Sequence, residues 1–136
     1  MIRFIDLNYS RFQPILDQLF VDVLVIPKRL AIRVSDLLPH EVSDLFLTAQ
    51  HVQRGMEHLQ QVDSSTLTIQ DGPNAGQSIQ HVHIHILPRR RGDFELNDEV
   101  YNRLQNHDKG QDIQWRSADG MKEEANQLRS FFNNLW

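Results

Sequence analysis

The 136-residue sequence contains no cysteine. That absence excludes disulfides and any zinc site that needs a thiolate ligand, and it fits a reducing compartment. Long apolar runs are missing as well. None approaches the roughly 20 residues of a membrane-spanning helix, so no such helix is expected. The opening stretch, MIRFIDLNYSRFQ, lacks an extended apolar segment, so no secretory signal is expected. Positive charge is not in excess either. The formal net charge is −4, which gives no reason to expect nucleic acid or an acidic membrane as a partner. There is no internal repeat and no low-complexity tract. What remains, with 40% hydrophobic and 24% charged residues, is the composition of one globular domain spanning 1–136 with one core.

Three of the seven histidines fall within five residues, in His81-Val82-His83-Ile84-His85-Ile86-Leu87. Side chains on a strand alternate between faces. Read as a strand, this segment projects His81, His83 and His85 from one face and packs Val82, Ile84 and Ile86 into a core on the other. The strict alternation marks it as the candidate functional site.

The remaining elements fall around that strand. Phe4, Ile5 and Leu7 suggest a short strand, and Ile15, Leu16, Leu19 and Phe20 have helical spacing. Val21 to Ile26 is a β-rich apolar run stopped by Pro27, read as a buried strand. Lys28 to Val34 connects it to a helix opened by Pro39. Val42, Leu45, Phe46, Ala49, Val52, Met56 and Leu59 form that helix's apolar stripe, and Glu41 and Asp44 suit its N-terminal dipole. Thr66 to Gln70 is a second strand. The turn cluster Asp71 to Gly76 then leads into the histidine strand, giving an antiparallel hairpin with a wide loop. Arg89-Arg90-Arg91 can attract phosphate, but a charge run is more often a solvated face. The segment 89–114 is expected to be charged and mobile, with at most a short helix around Val100 and Leu104. A C-terminal amphipathic helix is expected over 117–135, carrying Met121, Ala125, Leu128, Phe132 and Leu135 and capped by Ser117 or Asp119. Trp115 and Trp136 read as packing anchors.

Three alternate histidines admit three chemistries. They can supply two or three ligands to a metal ion, although no partner motif completes the site. They can act on phosphorus, because a neutral imidazole is a good nucleophile near neutral pH and a phosphoramidate intermediate divides one hard step into two. Or they can be ordinary satisfied histidines. The preceding loop favours phosphorus. Gly72 and Gly76 bracket a turn whose backbone N–H groups suit an anion, and Gln70, Gln77 and Ser78 add neutral donors.

The motif from His81 to Leu87 resembles the signature of the histidine triad hydrolases and transferases. The surrounding QDGPNAGQSIQHVHIHILPRRRGDF, with NDEVYNRLQNHDK and the WRS-containing tail, is similar to the fragile histidine triad branch over roughly residues 23–132. That resemblance implies an α+β fold: an antiparallel sheet with one long helix and a C-terminal helix, forming a homodimer. It implies a hydrolase that cleaves dinucleoside polyphosphates, diadenosine triphosphate above all, into AMP and ADP. His83 would be the nucleophile that forms a nucleotidyl-histidine. His85 would contact phosphate and assist the leaving group, and His81 would orient the site. Gln70 matches a substrate-binding glutamine, and Gly76, Gln77, Ser78 and Ile79 match the phosphate-contacting loop. Tyr101 matches a tyrosine that is phosphorylated in animal members, although a plain surface tyrosine is an equal reading. No cofactor held by the protein alone is implied; magnesium or manganese would arrive with the substrate. A cytoplasmic, and also nuclear, location is expected.

The chain departs from the family pattern upstream of Val23. The family carries a hairpin with a nucleotide-contacting asparagine and a P-G-H turn, where this chain has QLFVD. Residues 1–22 are thus a divergent segment with a shortened hairpin, and Asp22 stands where the turn's histidine would support the triad. The departure implies weaker base and ribose binding and an exposed strand edge. It also supplies the alternative reading, a nucleotide-binding signalling protein with reduced turnover.

Overall fold

The computed structural model describes residues 5–9, 21–108, 126 and 129–132. Strand β1 is Ile5–Tyr9, β2 is Val21–Val25, helix α1 is Pro39–Gln60, β3 is Ser64–Thr68, β4 is Ile84–Arg89 and helix α2 is Glu99–Asp108. The four strands form one antiparallel sheet in the order β1-β2-β4-β3.

Period-two alternation sorts the sheet's residues onto two faces. Val23 and Val25 of β2, and Ile84 and Ile86 of β4, pack with Leu45, Ala49, Val52 and Met56 of α1 to make the main core. On the opposite face Leu87 meets Val100 and Leu104 of α2, with Phe94 against them. The histidines belong to this second face. The sheet is therefore covered by α1 on one side, while the other side carries the candidate site beside α2.

α1 starts where expected. Pro39 fills the first helical position, and the Glu41 carboxylate reaches back to accept from the Leu38 N–H at 2.8 Å, satisfying one of the donors a helix start leaves open. The helix ends at Gln61, which takes the left-handed conformation at φ 53° that closes many helices. Its apolar stripe is narrower than the spacing suggests: Phe46 and Leu59 are exposed.

Several further expectations change. The edge of β2 is not bare, because β1 pairs with it from Ile5↔Val25 to Tyr9↔Val21, so the chain keeps a two-stranded front end. The second strand runs Ser64–Thr68 and stops short of Gln70. Within 89–114, α2 is a ten-residue helix anchored by the fully buried Val100 and Leu104. The helical spacing at 15–20, Trp115, Trp136 and most of the expected helix 117–135 lie outside the described residues; 129–132 are helical.

Candidate active site

The histidine strand begins later than its pattern indicates. β4 enters the sheet at Ile84, which pairs with Val25, while His85 lies opposite Leu24 on one side and Thr68 on the other. His81 to His83 precede the ladder. There the backbone is held by the Lys28–Val34 connector, with Val82 N–H donating to Ala31 O at 2.8 Å. Alternation survives even so: Val82 and Ile84 face the α1 core while His83 and His85 face the other way.

The three rings are not equivalent. His83 and His85 meet edge to face with centroids 4.9 Å apart, and both residues are buried. The His81 ring sits apart, against the connector, its Nε2–H donating to Pro27 O at 2.9 Å and its Nδ1 lying 3.2 Å from Ala31 O. The expectation of three rings displayed on one strand face is thus corrected to two adjacent rings and one anchor, because the segment bends onto the connector before the sheet begins. His81 nevertheless supports the site directly, since its backbone carbonyl accepts from His83 Nδ1 at 2.7 Å. A carbonyl can only accept. The His83 proton is therefore on Nδ1, and the ring's lone pair is on Nε2.

His85 is fixed in a similar way by a different group. Its Nδ1 lies 2.9 Å from Oδ2 and 3.2 Å from Oδ1 of Asp22. Asp22 is on β2, two residues before the Leu24 that pairs with His85, so its side chain shares the histidine face. The pattern of the sequence marks Asp22 only as a departure; 63 residues separate it from His85, and no local signal joins them. Asp22, which stands where the family pattern has a histidine, lies here within a paired strand.

The glycine loop is built around its own backbone. Gly72 has φ 107° and Gly76 φ 90°, a region closed to most side chains. The N–H groups of Gly76 and Gln77 donate to Pro73 O and Gly72 O at 3.1 Å each. The Gln77 side chain accepts from Gly72 N–H and donates to Ile32 O, both at 2.8 Å. In this form Gly76 and Gln77 shape the loop and do not face outward as anion donors. Ser78 and Ile79 follow in the exposed stretch beside the histidines. Gln70 borders Gly76, and its side-chain oxygen is buried with no hydrogen-bond partner among the described residues.

A latch that the sequence did not disclose ties this loop to the connector. Asp71 accepts from Val34 N–H at 2.9 Å and from the Arg33 guanidinium at 3.1 Å. The Arg33 hydrogen bond, reinforced by the Val34 N–H, holds the Asp71 carboxyl below its usual value. The arginine run is used otherwise. Arg89 forks onto Asp93 at 2.6 and 2.9 Å, reaches Thr66, and stacks on Phe94 at 4.9 Å. Arg90 donates to Gln60 O at 3.0 Å. Arg90 and Arg91 are exposed, as a solvated face requires, and Tyr101 is exposed on α2. Among the described residues, no three His, Asp or Glu side chains are grouped to hold a metal ion.

A HIT-domain family model matches residues 17–92. The bifunctional bis(5'-adenosyl)-triphosphatase/adenylylsulfatase of Arabidopsis thaliana is 50% identical over 119 residues, covering 82% of this chain and 66% of that protein. The bis(5'-adenosyl)-triphosphatase of Dictyostelium discoideum is 44% identical over 110 residues, covering 81% of this chain and 70% of that protein. Among solved structures, the diadenosine triphosphate hydrolase of Plasmodium falciparum aligns with a TM-score of 0.63 at 30% identity, covering 90% of this chain and 67% of that one. The chain spans about two thirds of the length of these relatives. With its adjacent His83 and His85, its glycine loop and these likenesses, the chain belongs to the HIT-domain family, in the fragile histidine triad branch.

Proposed function

We propose that the protein hydrolyses dinucleoside polyphosphates, diadenosine triphosphate first, by two displacements on phosphorus. The observation that carries this reading is the 2.7 Å hydrogen bond from His83 Nδ1 to His81 O. It aims an imidazole lone pair at substrate and leaves the neighbouring His85 to handle the proton.

In the first step His83 Nε2 attacks the α-phosphorus. A phosphorus–nitrogen bond forms, the bond to the bridging oxygen breaks, and His85 Nε2–H delivers its proton to the departing ADP oxygen. In the second step water attacks the same phosphorus and gives its proton back to His85. The phosphorus–nitrogen bond breaks and AMP leaves. A divalent cation arrives on the substrate's phosphates and is not held in a protein cage. A homodimer and a cytoplasmic location, nuclear as well, complete the proposal; light scattering on the purified protein tests the first.

The names of the relatives support the substrate class, and the paired β1–β2 front end supports turnover over the alternative of a slow nucleotide-binding protein. The test is an intact-protein mass spectrum after brief mixing with diadenosine triphosphate, quenched in alkali because a histidine phosphoramidate is acid-labile. An AMP-sized adduct is expected on the native chain and none on His83→Asn, with AMP and ADP released only by the former. Ligand binding without adduct or product would replace this reading with the slow nucleotide binder.

A further inference from the structure

We infer that Asp22 is a positioning residue for the reaction: its carboxylate holds His85 in the Nδ1–H tautomer, so that Nε2 alone exchanges protons with leaving group and water. The inference rests on the hydrolytic reading above and adds a residue that the family pattern supplies with a histidine.

The geometry argues for it in three ways. First, the contact is made in the interior. The Asp22 and His85 side chains are 2% and 1% exposed, and a buried carboxylate is tolerated where a donor satisfies it and left costly where none does. His85 Nδ1 is the donor the structure provides, at 2.9 Å. Second, a carboxylate only accepts, so Nδ1 must carry the proton. A neutral imidazole has one proton and two nitrogens. Fixing it on Nδ1 selects the tautomer that free histidine disfavours and makes Nε2 the only basic nitrogen. Third, the free end points the right way. His85 Nε2 is buried with no hydrogen-bond partner among the described residues, and the His85 ring abuts the ring of the nucleophile His83. One end of the ring is clamped and the other is reserved for substrate. The carboxylate also balances the ring's charge whenever Nε2 is protonated, as it must be before ADP leaves. This is the carboxylate–imidazole logic of acyl-transfer triads, reached here across two neighbouring strands.

The strand register makes the arrangement rigid. β2 and β4 pair at Val23↔Ile86 and Leu24↔His85, and a slip of one residue would turn Asp22 into the α1 core. The β1 strand pairs Asn8 with Asp22 on the far side, which keeps that part of β2 from fraying.

Two substitutions test the role. Asp22→Leu removes the acceptor and leaves the buried His85 Nδ1–H without a partner, a change that costs stability as well as the tautomer lock. Asp22→Asn keeps an acceptor but removes the charge. Turnover of diadenosine triphosphate is expected to fall about 100-fold or more in Asp22→Leu and about 10-fold in Asp22→Asn, with KM within about threefold, since general acid–base groups contribute on this scale. Two-bond nitrogen–proton spectra of the imidazoles supply a readout independent of activity. The native chain should show His85 protonated on Nδ1, assigned by its loss in His85→Asn, and Asp22→Leu should shift it toward the Nε2–H form. Native-like kcat in a folded variant of either kind, or an unchanged His85 tautomer in Asp22→Leu, would overturn the inference. If Asp22→Leu does not fold, Asp22→Asn decides by its kcat. If the native chain shows no hydrolysis at all, the functional reading fails, and the tautomer spectra still decide what Asp22 does.

Discussion

His83 and His85 are chemically identical side chains two residues apart, yet the structure gives their Nδ1 atoms different partners. A backbone carbonyl takes one and a carboxylate the other. The same attention to single atoms explains Gly76. At φ 90° a Cβ would be strained and would stand 2.9 Å from Gln70 Nε2. Gly76→Ala should therefore raise KM for the dinucleotide about tenfold, with a smaller effect on kcat, and cost about 1 kcal/mol of stability. Steady-state kinetics with a denaturation curve measure both, and an unchanged KM would remove the loop from substrate positioning. The residue types at His83, His85, Gln70 and the glycines were legible in the sequence because they occupy one short stretch. The partner of His85 was not, because it lies on another strand.

At the scale of the elements, helix α1 is a support whose outer half is shaped for a second contact. Gly55 is buried in α1, and a Cβ placed there would run into the edge of the Phe132 ring, with Phe132 Cζ at 2.8 Å. Phe132 also lies beside His51, and Phe131 stacks on His58 at 6.0 Å. Gly55→Ala gains intrinsic helix propensity of nearly 1 kcal/mol but forces that ring away, an overpacking cost of about 1–3 kcal/mol. A net loss of stability is expected in urea unfolding, and Phe132→Ala in the same chain should remove the penalty of Gly55→Ala. A gain in stability from Gly55→Ala alone would show that the aromatic contact is weak. The helix itself follows from spacing and from Pro39. The exposure of Phe46 and Leu59 does not, since the width of a buried stripe depends on how far the sheet beneath it extends.

For the whole molecule, acid sensitivity follows from carboxylates spread over its surface. The Arg29 hydrogen bond, with the Leu38 N–H, lowers Glu41 from 4.5 to about 2. Arg33 lowers Asp71, and Arg89 lowers Asp93. In each case the folded value lies below the unfolded one, so the stabilisation is complete above the unfolded value and is lost as pH falls through the folded one. For Glu41 that window runs from 4.5 down to about 2. Thermal midpoints should be level from neutrality to about pH 5 and fall below it, and Glu41→Gln with Asp93→Asn should flatten the decline. A double variant with the native pH profile would discount these pairs. Two of the three join separate segments, connector to α1 and connector to glycine loop, and the third ties β4 to the turn that follows it.

What the sequence determined by itself is whatever depends on neighbours along the chain. The alternation of histidines with Val82, Ile84 and Ile86 sets which side chains turn inward, the three-and-four spacing from Val42 to Met56 makes α1 amphipathic, and Gly72 and Gly76 permit a turn that other residues resist. These are short-range steric and periodic effects, and their outcome hardly varies with context. Only the tertiary structure decided that His81 leaves the ladder to anchor on Pro27, that Gln77 reaches Ile32 of the connector, that Arg33 latches Asp71, and that Asp22 meets His85. Each of these is a hydrogen bond between segments brought together by sheet register and core packing. Such bonds obey distance and burial, and a residue's place in the chain carries no information about either.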